Sequence, residues 1–330
     1  MQFFVQTLKL LLKAGLTIGI IAYLIVQDRL NLSALSLLIS EFRFFALILI
    51  FTWVGYVPLH AYRWWLFLRA LGIQQPFGYT TIVTFIGYFF NTTIPGAVSG
   101  DLMKGYYIAQ PNISNYKTKI ATSLLLDRFT GLFGLAIIAS VSLAFNPAWL
   151  IAEGAFQPLS WFAIALALGT LFFYGFVIFP FKPEKDPMIK LLGKLPFSTI
   201  SLRVYLTFKG FEEHRGVLLI TLSITLCSHL LVALLFFLIG QMLGVINMDF
   251  FTQMLLMPLG LIASSIPLAP AGAGVGHAAF DQLYQLGGFS NGADVFNFYV
   301  ILQLLAFTVG GILYLITPRG GVRRNSENEP

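Results

Sequence analysis

Residues 91–105 read NTTIPGAVSGDLMKG, and they interrupt a chain that is otherwise close to continuous apolar sequence. Proline and glycine break the run, and Asp101 and Lys104 follow just beyond the break. Irregular backbone finds no hydrogen bonds in lipid, so at membrane depth it survives only where protein buries it or water reaches it. How the chain around this stretch is organised therefore decides how the whole sequence is read.

Of the 330 residues, 57% are hydrophobic and 10% are charged. Soluble domains carry about 25% charged residues. Too few charges are present to cover a water-exposed surface, so the sequence predicts an all-α polytopic membrane protein. Its apolar runs reach the roughly 18 residues of a helical span, whereas barrel strands alternate over about 10, which excludes a β-barrel. The first run, near Lys9 to Val26, has basic residues ahead of it but exits through Gln27-Asp28-Arg29 without a small-residue cleavage site. It reads as a retained first helix. Cys227 is the single cysteine, which excludes an intramolecular disulfide and a thiol metal site. His60, His214 and His229 show no metal spacing, and no nucleophile triad or phosphate-binding loop is visible. A transporter is therefore expected rather than an enzyme, with no cofactor. The net charge of +6 is a topology signal, and nucleic acid is not expected as a partner.

Six segments read as full spans: 8–27, 43–70, 118–145, 158–180, 216–240 and 295–317. Two more, 77–110 and 251–281, are broken by Pro and Gly. The loop 181–215 holds seven of the twenty Lys and Arg residues and is placed in the cytoplasm by the positive-inside rule. The tail 318–330, with Arg319, Arg323 and Arg324, joins it, and the N-terminus is expected there too. Counting spans from these anchors makes both broken segments re-entrant, 77–110 from the inside and 251–281 from the outside. The two halves also align at a constant offset of 172 residues. Leu71-Gly72-Ile73 matches Leu243-Gly244-Val245, and Thr92-Thr93-Ile94-Pro95 matches Ser264-Ser265-Ile266-Pro267. The expectation is one membrane domain over 1–330, with a first repeat at 1–145 and an inverted second repeat at 158–317. Paired, Gly/Pro-interrupted segments in two such halves point to a transport site near the midplane.

In the first break, Pro95 ends a helix, Gly96 and Gly100 permit tight turns, and Ser99 or Asp101 caps a second helix running through Gln110. The N–H groups at that helix start form an anion site, with Lys104 one turn on. The bland alternative makes Asp101 a plain cap and Lys104 a snorkelling interfacial lysine. The second break carries Pro267, Pro270, Gly272 and Gly274, with His277 as its titratable group. Asp127 and Arg128 lie about nine residues into their span, roughly 13 Å deep at about 1.5 Å per residue. Each charge costs about 2.5–3.5 kcal/mol at a helix centre, so each is expected to find a partner. Arg128 would pair with Asp101 or a lipid phosphate, and Asp127 with Lys104 or Arg63. Arg63 is the weaker candidate, because Tyr62, Trp64 and Trp65 around it look like an interfacial belt from which it snorkels to water.

Three motifs carry a resemblance over nearly the whole chain: IPGAVSGD (94–101) followed by Lys104, LLLDRFTGLFGL (124–135) and PLAPAGAGVG (267–276). Together they resemble the flippase-like family defined by the transmembrane region of bacterial lysylphosphatidylglycerol synthases. The family pattern has a Pro-Gly-rich turn ending Gly-Gly-Asp, a Glu-Arg or Asp-Arg pair, and a Pro-Gly-Gly-x-Gly-Val turn followed by Glu. Here Ser99 and Ala271 replace glycines, and His277 stands where Glu is usual. The resemblance implies a multi-pass protein of the bacterial cytoplasmic membrane that moves a phospholipid or lipid-linked headgroup between leaflets. No aminoacyltransferase domain is expected, so any lipid-modifying enzyme would be a separate partner; the oligomeric state stays open. The headgroup would use Pro95, Gly96, Ser99, Gly100, Asp101, Lys104, Asp127, Arg128, Pro267, Pro270, Gly272, Gly274 and His277. The rival reading is a non-transporting scaffold or accessory subunit of a lipid-modifying enzyme. A membrane-embedded transferase using a lipid-linked donor ranks below both.

Overall fold

Apolar runs punctuated by Pro and Gly give helices throughout, and no strand occurs among the described residues. The computed structural model describes residues 40–94, 98–109, 116–151, 154, 156–179, 185–194, 197–265 and 274–318. The helices are α1 (Phe42–Ala70), α2 (Phe77–Thr93), α3 (Ser99–Ile108), α4 (Tyr116–Ser142), α5 (Phe156–Ile178), α6 (Pro187–Leu192), α7 (Ser198–Lys209), α8 (Arg215–Met242), α9 (Phe250–Ser264), α10 (Val275–Leu286) and α11 (Gly292–Ile316). Five are long and apolar enough to cross a membrane: α1, Lys117–Ser142 in α4, Gln157–Ile178 in α5, α8 and α11. They coincide within a few residues with five of the six expected spans. The sixth, 8–27, lies outside the described residues.

α1 is continuous but not regular, because Thr52–Tyr56 forms a π-turn just before Pro58. Proline cannot donate an intrahelical bond, and a local π-turn is one way a helix absorbs that loss. The helix ends on Gly72 at φ +78°, where Ile73 N donates to Leu68 O at 2.9 Å. This is a Schellman end, which needs a residue that tolerates left-handed backbone. α8 ends in the same way: Gly244 has φ +74° and Val245 N donates to Gly240 O at 2.9 Å. The Leu-Gly match between the halves thus marks one local device used twice.

Both broken segments fold as helical hairpins. Tyr79 OH donates to Tyr107 O at 3.1 Å near the open end, and Ser99 Oγ donates to Phe90 O at 2.9 Å near the tip. Those pairings make α2 and α3 antiparallel. Gly100 permits their approach, since a Cβ there would sit 2.1 Å from Gly87 O. In the second hairpin Tyr284 OH donates to Gln253 Oε1 at 2.6 Å, and Gly260 lies under the Phe280 ring. Small residues at crossings are how helices associate where lipid removes the hydrophobic drive between them. Residues 95–97 and 266–273, at the two tips, lie outside the described residues, and with them Pro95, Gly96, Pro267, Pro270 and Gly272.

Packing then crosses between the halves. α2 lies along α11, α9 lies along α4, and α1 packs against α8. Gly310 makes the first of these contacts close, because a Cβ there would fall 2.1 Å from Phe85 O. The segment between the halves differs from the plain loop expected at 181–215. It holds α6, α7 and a short 3-10 turn at Glu212–His214. Asp186 caps α6 through Met188 N at 2.9 Å and accepts Tyr205 OH at 2.6 Å. Buried Met188, Tyr205 and Phe211 fix this unit to Phe67, Tyr174 and Leu218. Basic composition concealed an apolar face that docks.

Candidate functional site: a buried charge cluster beside a lateral cavity

Five charged side chains converge where α1, α3 and α4 meet. Arg63 Nε donates to Asp127 Oδ1 at 2.7 Å, and Arg63 Nη1 donates to Thr225 Oγ1 of α8 at 2.9 Å. Lys104 Nζ lies 3.8 Å from Asp127 Oδ2. Arg128 Nε donates to Asp101 Oδ2. Arg63 and Lys104 are each 5% exposed, and Asp101 and Asp127 each 9%. Carrying charges to this depth without partners would cost several kcal/mol per ion, and each of the four is paired. Three cations face two carboxylates, which leaves one unit of positive charge.

Local structure explains each position. Asp127 and Arg128 are adjacent on a helix and diverge by about 100°. One therefore faces α1 and Lys104, the other Asp101 at the start of α3. Trp64 Nε1 donates to Ser123 Oγ at 3.0 Å and ties α1 to α4 just beside the cluster. The Lys104 ammonium lies 5.1 Å from the Trp64 ring centroid and 5.6 Å from that of Tyr88, within cation–π range.

Several expectations are corrected. Arg63 does not snorkel to water; it is the most heavily bonded cation of the cluster. Lys104 is buried, which goes against the bland alternative of a snorkelling interfacial lysine. Neither Ser99 nor Asp101 caps α3, whose N-cap is Val98 without a side-chain cap bond. Ser99 is spent on Phe90 O and Asp101 on Arg128. The helix ends at Ile108, short of Gln110. The Gly100 N–H is not free for an anion, because Asn91 Oδ1 accepts it at 2.8 Å. Gly274 and His277 stand at the start of α10, where Gly274 N donates to His277 Nδ1 at 3.2 Å and His277 Nε2 lies 3.5 Å from Asn297 Oδ1. Their described bonds stay within α10 and α11, so the charges of the first half form a cluster that His277's described bonds do not enter.

The paired broken segments pointed to a groove between the two halves; what the sequence did not single out are the walls of a cavity of ≈ 630 Å³ among α1, α2, α8, α9 and α11. Its walls are mostly apolar, and Leu47, Phe51 and Leu234 among them are exposed. Asn91 and Thr92 from the α2 tip, with Ser264 and Ser265 from the α9 tip, are among its polar lining. Those are the stretches that align between the halves. Tyr88 also lines it and separates it from Lys104, while Asn91 ties it to the start of α3. The π-turn of α1 supplies Thr52 and Tyr56 to the same space.

Among known protein families, the model described as the lysylphosphatidylglycerol synthase TM region matches residues 10–313. No curated protein and no solved structure matches the chain.

Proposed function

The chain belongs to the family of the lysylphosphatidylglycerol synthase transmembrane region, and on that footing we propose that it moves a phospholipid or lipid-linked headgroup across a bacterial cytoplasmic membrane. The observation that carries the reading is the pairing of a buried charge cluster with an apolar cavity, several of whose lining side chains are exposed. A lipid needs both: a polar path for its headgroup and continuous apolar contact for its tails. Arg128 is the contact we assign to the headgroup phosphate. Its side chain is 35% exposed and its described bond uses Nε, so the terminal nitrogens remain to bind two oxygens together.

In this reading residues 1–145 and 158–317 are inverted repeats, and the hairpins α2–α3 and α9–α10 enter from opposite faces without crossing. The shared Schellman ends, the matching helix order and the crossed packing support it. Both termini are cytoplasmic, as the basic loop and tail argue. Movement is downhill or driven by protons or membrane potential, and the protein acts as a transporter rather than an enzyme.

A second reading, a non-transporting scaffold or accessory subunit of a lipid-modifying enzyme, draws on the mutual satisfaction of the ion pairs. Purified protein in vesicles with leaflet-selective lipid probes separates the two. A scaffold leaves probe movement at the protein-free rate.

A further inference from the structure

We propose that the lateral cavity takes a phospholipid with a net-negative headgroup and disfavours a cationic, aminoacylated one; this rests on the lipid-translocation reading above. The cavity has an uncharged lining. Among the described residues no acidic or basic side chain faces it, and its polar atoms belong to tyrosines, hydroxyls and amides such as Asn91 and Gln303. An ammonium held against this lining would therefore meet no carboxylate among the described residues that form it.

The nearest charges lie one layer behind, and their sum is positive. Arg63 and Arg128 are each matched by a carboxylate, whereas Lys104 shares Asp127 with Arg63 at the longer distance of 3.8 Å. Lys104 is thus the unmatched unit, and Tyr88 is the partition between it and the cavity. His60, next to this partition, is buried with Nε2 unpartnered among the described residues, and its ring is 4.3 Å from Tyr56 and 5.9 Å from Tyr88. It offers no negative charge in either protonation state. A uniform positive potential behind an uncharged lining selects ligands by the sign of their charge. One unit at about 10 Å, at the effective dielectric of a protein interior, is worth about tenfold in affinity per unit of ligand charge.

The test measures binding separately from transport. The full-length protein is equilibrated in mixed micelles with equimolar phosphatidylglycerol, phosphatidylethanolamine and lysylphosphatidylglycerol, and the retained lipids are counted by mass spectrometry. Phosphatidylglycerol should be enriched about tenfold over phosphatidylethanolamine, and further over the lysyl lipid. Lys104→Met keeps the volume of the buried side chain, preserves both remaining ion pairs and should bring retention close to parity. Equal retention by the wild type, enrichment of the lysyl lipid, or no retained lipid would each overturn the inference. So would an undiminished preference in Lys104→Met. Selective retention without movement in vesicles would leave the inference standing and remove the translocation reading. Movement that favours the lysyl lipid would do the reverse.

Discussion

Arg63 and Asp127 are 64 residues apart in sequence, yet their side chains meet at 2.7 Å inside the protein, with Thr225 holding the far side of the guanidinium. The Asp127 bond joins α1 to α4, and the Thr225 bond adds α8. Removing Arg63 leaves buried Asp127 with only the longer Lys104 contact, at 3.8 Å. Arg63→Ala should destabilise the protein by about 3–5 kcal/mol. Arg63→Lys should recover part of that, since an ammonium can reach one carboxylate oxygen but not both Asp127 and Thr225. Thermal unfolding in detergent reads the difference. Wild-type melting of Arg63→Ala would return Arg63 to an interfacial, snorkelling role.

The pair of Arg128 and Asp101 behaves differently, because Arg128 is partly exposed. Asp101→Asn, which leaves only the partly exposed Arg128 without its partner, should cost about 1 kcal/mol or less, whereas Arg128→Ala strands the buried Asp101 carboxylate and should cost several kcal/mol. Transport should be lost in Arg128→Ala, and Arg128→Lys should restore only part of it, for want of a planar fork. Asp101→Asn leaves α3 intact, since Val98 and not Asp101 is its N-cap, but it removes the charge that orients Arg128. Normal transport in Asp101→Asn would mean that orientation is irrelevant to the headgroup.

Gly100 and Gly105 form a matched pair of tests on one short helix. A Cβ at Gly100 would lie 2.1 Å from Gly87 O, which must force α2 and α3 apart. A Cβ at Gly105 would meet Ile120 at 3.7 Å, an ordinary contact. Gly100→Ala should therefore lose about 1–3 kcal/mol, as overpacking does, and Gly105→Ala should be tolerated. Equal melting temperatures would show that the hairpin does not need its close approach.

Much of this was legible from local chemistry. Pro95 and Pro267 interrupt their runs wherever the rest of the chain goes, and Asp127-Arg128 in mid-span required partners of opposite sign. Both of those partnerships exist, and each was among the pairs the sequence allowed. Arg63 was misread because its neighbours Tyr62, Trp64 and Trp65 imitate a membrane-interface belt, and the residue that binds it is distant in sequence. The capping role given to Ser99 and Asp101 failed for a related reason. Their side chains had better partners on α2 and α4, which no local pattern reveals. A groove between the halves was expected, but its walls were not legible. It is made by surfaces of five helices, and only the alignment of Thr92 with Ser264 hinted that the two hairpin tips face one space.

Sidedness separates the hairpin reading from two extra crossings. After Cys227 is replaced by Ser, single cysteines are placed at Lys117, at the exposed start of α4, and at Gln285, near the end of α10. An impermeant thiol reagent should label Lys117→Cys only from the cytoplasm and Gln285→Cys only from outside. Labelling of both from one face would rule out inverted repeats.

Lipid movement by the protein alone is the most direct test of the central claim. The purified chain is reconstituted into vesicles containing a trace of headgroup-accessible fluorescent phosphatidylglycerol, and dithionite quenching reports the fraction exposed on the outer leaflet over time. The account predicts that protein-containing vesicles lose nearly all their fluorescence, protein-free vesicles about half, and Arg128→Ala vesicles the same half. If wild-type vesicles stop at half as well, with the protein folded and inserted, the chain is not a lipid translocase.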